Sequence, residues 1–148
     1  MRRISHEWSF WSGLALFLWM ALMPWFNQQT SAGDPSAVRI VSTSPTDAEE
    51  INNLKGAIVT LQFNREMNPA MQAGLVMNQR GAVDVKGNPI EVQGELTWPD
   101  AKTLQFKPKK ALKPHSTYQV SLLSAQSKAG ESMEQIPFRL VFTTGAGR

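Results

Sequence analysis

The chain of 148 residues contains no cysteine. Disulfides, thiolate metal sites, a cysteine nucleophile and a lipid carried on a cysteine are therefore excluded. Histidine is nearly as scarce, with His6 and His115 alone. His6 falls in the N-terminal segment, so the remainder has one imidazole and no serine–histidine–aspartate arrangement with two usable imidazoles. The carboxylate pairs Glu49 with Glu50 and Glu131 with Glu134 fall in segments that read as loops, where charges are ordinarily solvated. Nucleophile, base and metal ligands do not assemble from these residues, so the sequence reads as a non-enzyme that calls for no cofactor and no resident metal. A strong charge of one sign is missing too. Of the net charge of +3, Arg2, Arg3 and Glu7 account for +1, leaving +2 for the rest, too mild an excess for a nucleic-acid partner. After residue 33 no 3.6-residue apolar stripe persists beyond a turn, and Asn68-Pro69-Ala70-Met71-Gln72 is a single helical turn at most.

What is present begins with Arg2 and Arg3, followed by an uncharged run from Ser9 to Phe26. That basic-then-apolar order is the order of a secretory signal. Its length corresponds to roughly 27 Å of helix, close to the hydrocarbon thickness of a bilayer. Trp8, Trp11, Trp19 and Trp25 are four of the five tryptophans and match the aromatic belts of a retained anchor. Pro24 and the polar stretch from Asn27 to Ala32, with small residues at Thr30 and Ala32, match a cleavage site instead. Residues 1–32 are thus a signal peptide or a signal anchor, an N-terminal hydrophobic helix in either case. The arginines stay cytoplasmic, so the chain after about residue 33 is expected outside that membrane. It is either anchored and facing outward, or secreted or periplasmic after cleavage. Ile4-Ser5-His6 lacks the apolar pair of a twin-arginine signal, which favours the general secretory route.

Residues 33–37 form a Gly/Asp/Pro/Ser linker, and 38–146 are written in period two. Successive strand side chains point to opposite faces. Ala57, Val59, Leu61 and Phe63 therefore share one face, with Thr60 and Gln62 on the other. Leu96 and Trp98, then Leu104 and Phe106, point inward on either side of a four-residue hairpin loop, Pro99-Asp100-Ala101-Lys102. Tyr118, Val120 and Leu122 alternate with polar residues, as do Phe138, Leu140 and Phe142 with Arg139, Val141 and Thr143. Weaker strands fall at Val38 to Thr43, Leu75 to Met77, Val83 to Val85 and Ile90 to Val92, with turns at Ser44-Pro45, Gln79-Arg80-Gly81 and Lys86-Gly87-Asn88-Pro89. Seven or eight short strands in this length predict an all-β, Ig-like antiparallel β-sandwich, a small barrel being the alternative. Tyr118 opens a late strand after a crossover, where its hydroxyl can bond back to the backbone as a tyrosine corner. Leu61, Phe63, Trp98, Phe106, Tyr118 and Phe142 are the expected structural residues.

Val41-Ser42-Thr43-Ser44-Pro45, Ile58 to Pro69, Thr103 to Pro108, Ala111 to Val120 and Phe138 to Thr144 together resemble the SbsA-type bacterial Ig-like domain, bacterial Ig-like family 5, over about residues 38–144. Where the family usually has an Asp-x-x-Gly turn, this chain has Ser127-Lys128-Ala129-Gly130. The missing carboxylate argues against calcium there. The resemblance implies a non-catalytic structural or interaction module of the cell envelope.

Two constellations stand out as sites. Lys107, Lys109, Lys110 and Lys113 place four positive charges in seven residues around a turn. They form a patch for an anionic polymer, or lysines that merely keep a turn soluble. Met67, Met71 and Met77, with His115, are the donors for an alternative function, a periplasmic CopC-like copper protein, since soft sulfur suits Cu(I). Yet CopC-like sites rely on histidines near the mature N-terminus, and none follows Ala32 until His115. The expected partners are an envelope protein or a wall polymer, plus the membrane through the N-terminal segment.

Overall fold

A computed structural model of the protein describes residues 37–147. The expected N-terminal hydrophobic segment lies outside the described residues, and among those described no helix is long and apolar enough to cross a membrane. The described residues form nine strands: β1 (Ile40–Ser44), β2 (Glu50–Ile51), β3 (Val59–Phe63), β4 (Gly74–Val83), β5 (Pro89–Glu91), β6 (Gly94–Asp100), β7 (Thr103–Pro108), β8 (Thr117–Ser124) and β9 (Phe138–Thr144). They form a four-stranded sheet, β1-β3-β7-β6, and a five-stranded sheet, β2-β9-β8-β4-β5. The fold is an all-β sandwich of two sheets.

The alternation seen in sequence builds the core. Val59, Leu61 and Phe63 of β3 are buried every second residue, and β8 repeats this with Tyr118, Val120 and Leu122. Leu104 and Phe106 of β7 join the first set, while Met77, Leu140 and Phe142 join the second. Each such side chain contributes about 1.5–3 kcal/mol by leaving water. Tyr118 is stacked on Phe142 with ring centroids 5.7 Å apart. Its hydroxyl accepts the Lys113 N–H at 2.9 Å, which forms the expected tyrosine corner.

The structure corrects the expected layout in four places. The strands number nine, because Glu50–Ile51 pairs with Thr143–Thr144; this pair is parallel, whereas the other strand pairs are antiparallel. A two-residue strand carries no periodicity, so its sequence is silent. Leu75–Met77 and Val83, expected as separate strands, belong to the single ten-residue β4. The expected turn at Gln79-Arg80-Gly81 is an irregularity within it, with Gly81 at φ 73°, a conformation glycine adopts without steric cost. The β6–β7 loop is shorter than four residues: Asp100 already pairs with Thr103, leaving Ala101 and Lys102 as the turn. Leu96 and Trp98 face inward but are only half-buried, because β6 is the edge of its sheet. Trp98 packs against Phe63 at 5.9 Å and 33°. The expected single turn at 68–72 closes with the Met71 N–H donating to the Asn68 carbonyl at 3.1 Å.

Candidate functional site

The lysine turn is fixed from beneath. Leu112 is buried and its N–H donates to the Leu54 carbonyl at 3.0 Å, while the Lys109 N–H donates to the Gln93 carbonyl at 2.9 Å. With the tyrosine corner holding Lys113, the backbone is committed inward and Lys107, Lys109, Lys110 and Lys113 are all exposed. The ion pairs found among the described residues are Arg39–Glu134, Arg65–Glu131 and Lys128–Glu66. None uses a lysine of the turn. A carboxylate, Glu95, is the cross-strand partner of Lys107.

The methionines and His115 are not brought together. Met67 and Met77 are core residues, 1% and 0% exposed, whereas Met71 is 51% exposed. Met67 bridges to Ser127 beyond the end of β8, and His115 precedes the start of β8. The two residues therefore lie toward opposite ends of that strand. His115 is exposed, at φ 49°, and its N–H donates to the Gly145 carbonyl at 3.1 Å. Among the described residues no group of three or more His, Asp or Glu is placed to hold a metal ion.

The turn at Ser127–Gly130 is closed by its own serine. Ser127 is 2% exposed; its hydroxyl accepts the Glu131 N–H at 3.0 Å and donates to the Glu131 carboxylate at 3.2 Å. Glu131 in turn pairs with Arg65 at 3.2 Å. The Glu131 carboxylate is thus committed to a structural ion pair. Three other turns also commit a carboxylate. The Thr46 N–H and hydroxyl hold Glu49 below the usual carboxylate range. Donors on Asn88, then Lys86, do the same for Asp84, and the Lys102 N–H and Thr103 hydroxyl do so for Asp100.

A cleft absent from the sequence reading opens where the two sheets part. The chain leaves β5 in one sheet and enters β6 in the other through Val92 and Gln93 alone. Beside this crossing lies a cleft of about 510 Å³, with Trp98, Leu96 and Phe106 on one wall, Leu75 on the other, and the 69–73 loop above. Gln72, Glu91, Gln93 and Glu95 supply its polar lining. Among the described residues these four side chains have no hydrogen-bond or ion-pair partner. Among the described residues no buried side-chain nitrogen or oxygen lacks a partner, and the Trp98 indole N–H has no acceptor, so that N–H is open to solvent. Gly94 makes the wall possible, since a Cβ there would run into the Phe106 ring and approach the Lys107 carbonyl oxygen to 2.8 Å. No periodic signal marks this site, because its residues come from three segments and two sheets.

Solved structures share the sandwich. PcoC, a methionine-rich copper resistance protein from Escherichia coli, is 19% identical with a TM-score of 0.57, over 74% of this chain and 99% of that one. The S-layer protein SbsC is 13% identical with a TM-score of 0.49, over 74% of this chain and 14% of that one. At such identities the likeness to PcoC is one of fold. No curated protein matches the chain in sequence. The profile of the bacterial Ig-like domain matches residues 34–144, and with the two-sheet sandwich in place the chain belongs to the bacterial Ig-like domain family.

Proposed function

We propose that this protein is a non-catalytic cell-envelope module, presented outside the cytoplasmic membrane, that contacts an anionic wall polymer through Lys107, Lys109, Lys110 and Lys113. The carrying observation is the lysine turn itself: four exposed cations on a backbone locked from beneath, none paired with a carboxylate. Membership of the bacterial Ig-like family and the basic-then-apolar order of residues 2–26 support placement outside the membrane. Membership of the bacterial Ig-like family supports a non-catalytic role as well.

Attraction of this kind is screened by salt, with a Debye length of about 10 Å at 0.1 M. The test is co-sedimentation of the full-length protein with walls carrying an anionic polymer, at rising ionic strength, alongside fractionation of cells. Expected are retention that falls steeply with salt and is lost in a Lys107→Gln, Lys109→Gln, Lys110→Gln, Lys113→Gln variant of unchanged melting temperature, and exclusion of the full-length protein from the cytosol. Salt-independent retention, or a cytosolic full-length protein, refutes the reading.

A further inference from the structure

The cleft between β5 and β6 has the chemistry of a sugar site, and we infer that it binds one or two residues of a neutral glycan. The inference deepens the wall-polymer reading and rests on it for the source of the glycan, but it uses different residues. A pyranose ring presents an apolar face of C–H groups and a girdle of hydroxyls. The first requirement is an aromatic surface, and Trp98 supplies it: its ring is backed by Phe63 at 5.9 Å, which fixes its orientation, while the indole remains half-exposed in the cleft wall. The second requirement is planar groups that donate and accept in pairs. Gln72 and Gln93 each offer an amide with both functions, and Glu91 and Glu95 offer acceptors.

These four side chains have no partners among the described residues, as is also true of Glu50, Asn52, Asn78, Gln105 and Gln135, but these four stand together around one cleft. Several other surface groups are committed within the domain: Asn64 ties Arg39 and Ala37, Asp84 ties Lys86 and Asn88, and Gln126 ties Gly130. Around the cleft the four are left open, together with the indole N–H. The volume of about 510 Å³ falls within the range of small-molecule sites.

Charge decides which sugar. Two carboxylates and no cation line the cleft, and one of them, Glu95, faces Lys107 across the β6–β7 ladder, so the lining offers no cation of its own to an anionic unit and suits a neutral one. An extended peptide added to the β6 edge is the competing occupant. The edge is poorly suited to it, since Pro99 has no N–H and the ladder is irregular between Thr97 and Asp100.

The experiment follows the Trp98 indole N–H by NMR in the full-length protein, assigned by its disappearance in Trp98→Phe. The probes are chitotetraose, cellotetraose and a capped hexapeptide of alternating valine and threonine. A saturable shift with one of the tetrasaccharides is expected, weakened roughly tenfold in Gln72→Ala, Gln93→Ala at unchanged melting temperature, and retained in the four-lysine variant. No saturable shift with either sugar at millimolar concentration, or a shift with the peptide alone, overturns the inference. Because the four-lysine variant leaves the cleft intact, loss of wall retention without loss of the sugar shift would refute the lysine reading and leave this one standing.

Discussion

The two seams of the sandwich, where edge strands of opposite sheets meet, are finished differently. At one, the chain passes from β1 to β2 through a buried Pro45 and is then laced to β9. The Ala48 N–H donates to the Val141 carbonyl at 2.7 Å, the Val141 N–H to Asp47 at 2.9 Å, and the Thr143 N–H to the Glu49 carbonyl at 2.9 Å. At the other, β5 is three residues long and the crossing at Val92 and Gln93 is tied by the Val92 N–H to the Met77 carbonyl at 2.7 Å. The core there reaches solvent through Trp98 and Leu96. One seam is closed mainly by backbone bonds, with the Asp47 carboxylate adding one more. The open one owes its shape to particular side chains and to the absence of one at Gly94.

The largest effect that tests this contrast is in the core. Leu61→Ala is expected to lower stability by about 2–5 kcal/mol, and Phe142→Ala, beside the closed seam, by about 4 kcal/mol. Phe106→Ala is expected to lose about 1 kcal/mol less than Phe142→Ala, because cleft water can occupy the vacated space. Urea denaturation of the three variants measures this. An equal or greater loss at Phe106 would mean that both seams are closed, and unchanged melting for Leu61→Ala and Phe106→Ala would overturn the assigned faces.

Next in size, Gly94→Ala forces a methyl against the Phe106 ring and is expected to cost about 1–3 kcal/mol by overpacking. A thermal melt that does not move would show that Phe106 can swing into the cleft. On the closed seam, Ala48 sits at φ 63°, where a Cβ is unfavourable. Ala48→Gly is expected to raise stability by about 0.5–1 kcal/mol, and a destabilised variant in the same assay would contradict that strain.

The smallest effect is in pH. The carboxyls of Glu49 at the closed seam and Asp84 beyond the open one are both depressed by hydrogen bonds from their own turns. A depressed folded-state pKa contributes stability above the unfolded value and loses it as pH falls through the folded value. Both turns are therefore expected to loosen on acidification below the ordinary carboxylate range and to be unaffected above it. Side-chain NMR titration checks this through two midpoints below those of free Asp and Glu.

Legibility in the sequence followed the length and isolation of each element. The faces of β3, β7, β8 and β9 were readable because each is five to eight residues of uninterrupted alternation. The tyrosine corner was readable because it is local, linking Tyr118 to Lys113. Across β4 the alternation breaks at Arg80-Gly81, which resembles a turn in sequence and is an irregularity in the strand. The lysine turn was visible as a charge run, but its lack of partners was not, since that depends on which carboxylates fold nearby. Met67 and Met77 offered sulfur in the sequence and turned out to be core packing, a choice their flexible side chains leave to the surroundings. The cleft was invisible because Gln72, Glu91, Gln93 and Trp98 meet only when the sheets do.

By itself the sequence determined that the described domain would be all-β, which residues would face its core, and that sulfur chemistry through cysteine was impossible. These follow from the two-residue period of an extended backbone and from composition, both local properties. Only the tertiary structure decided which strands became edges, which seam was laced and which stayed open, and which polar side chains were left without partners. Edges and seams are set by pairing between distant segments, such as Glu50 with Thr143 and Gly94 with Pro108, and no window along the chain contains both members of such a pair.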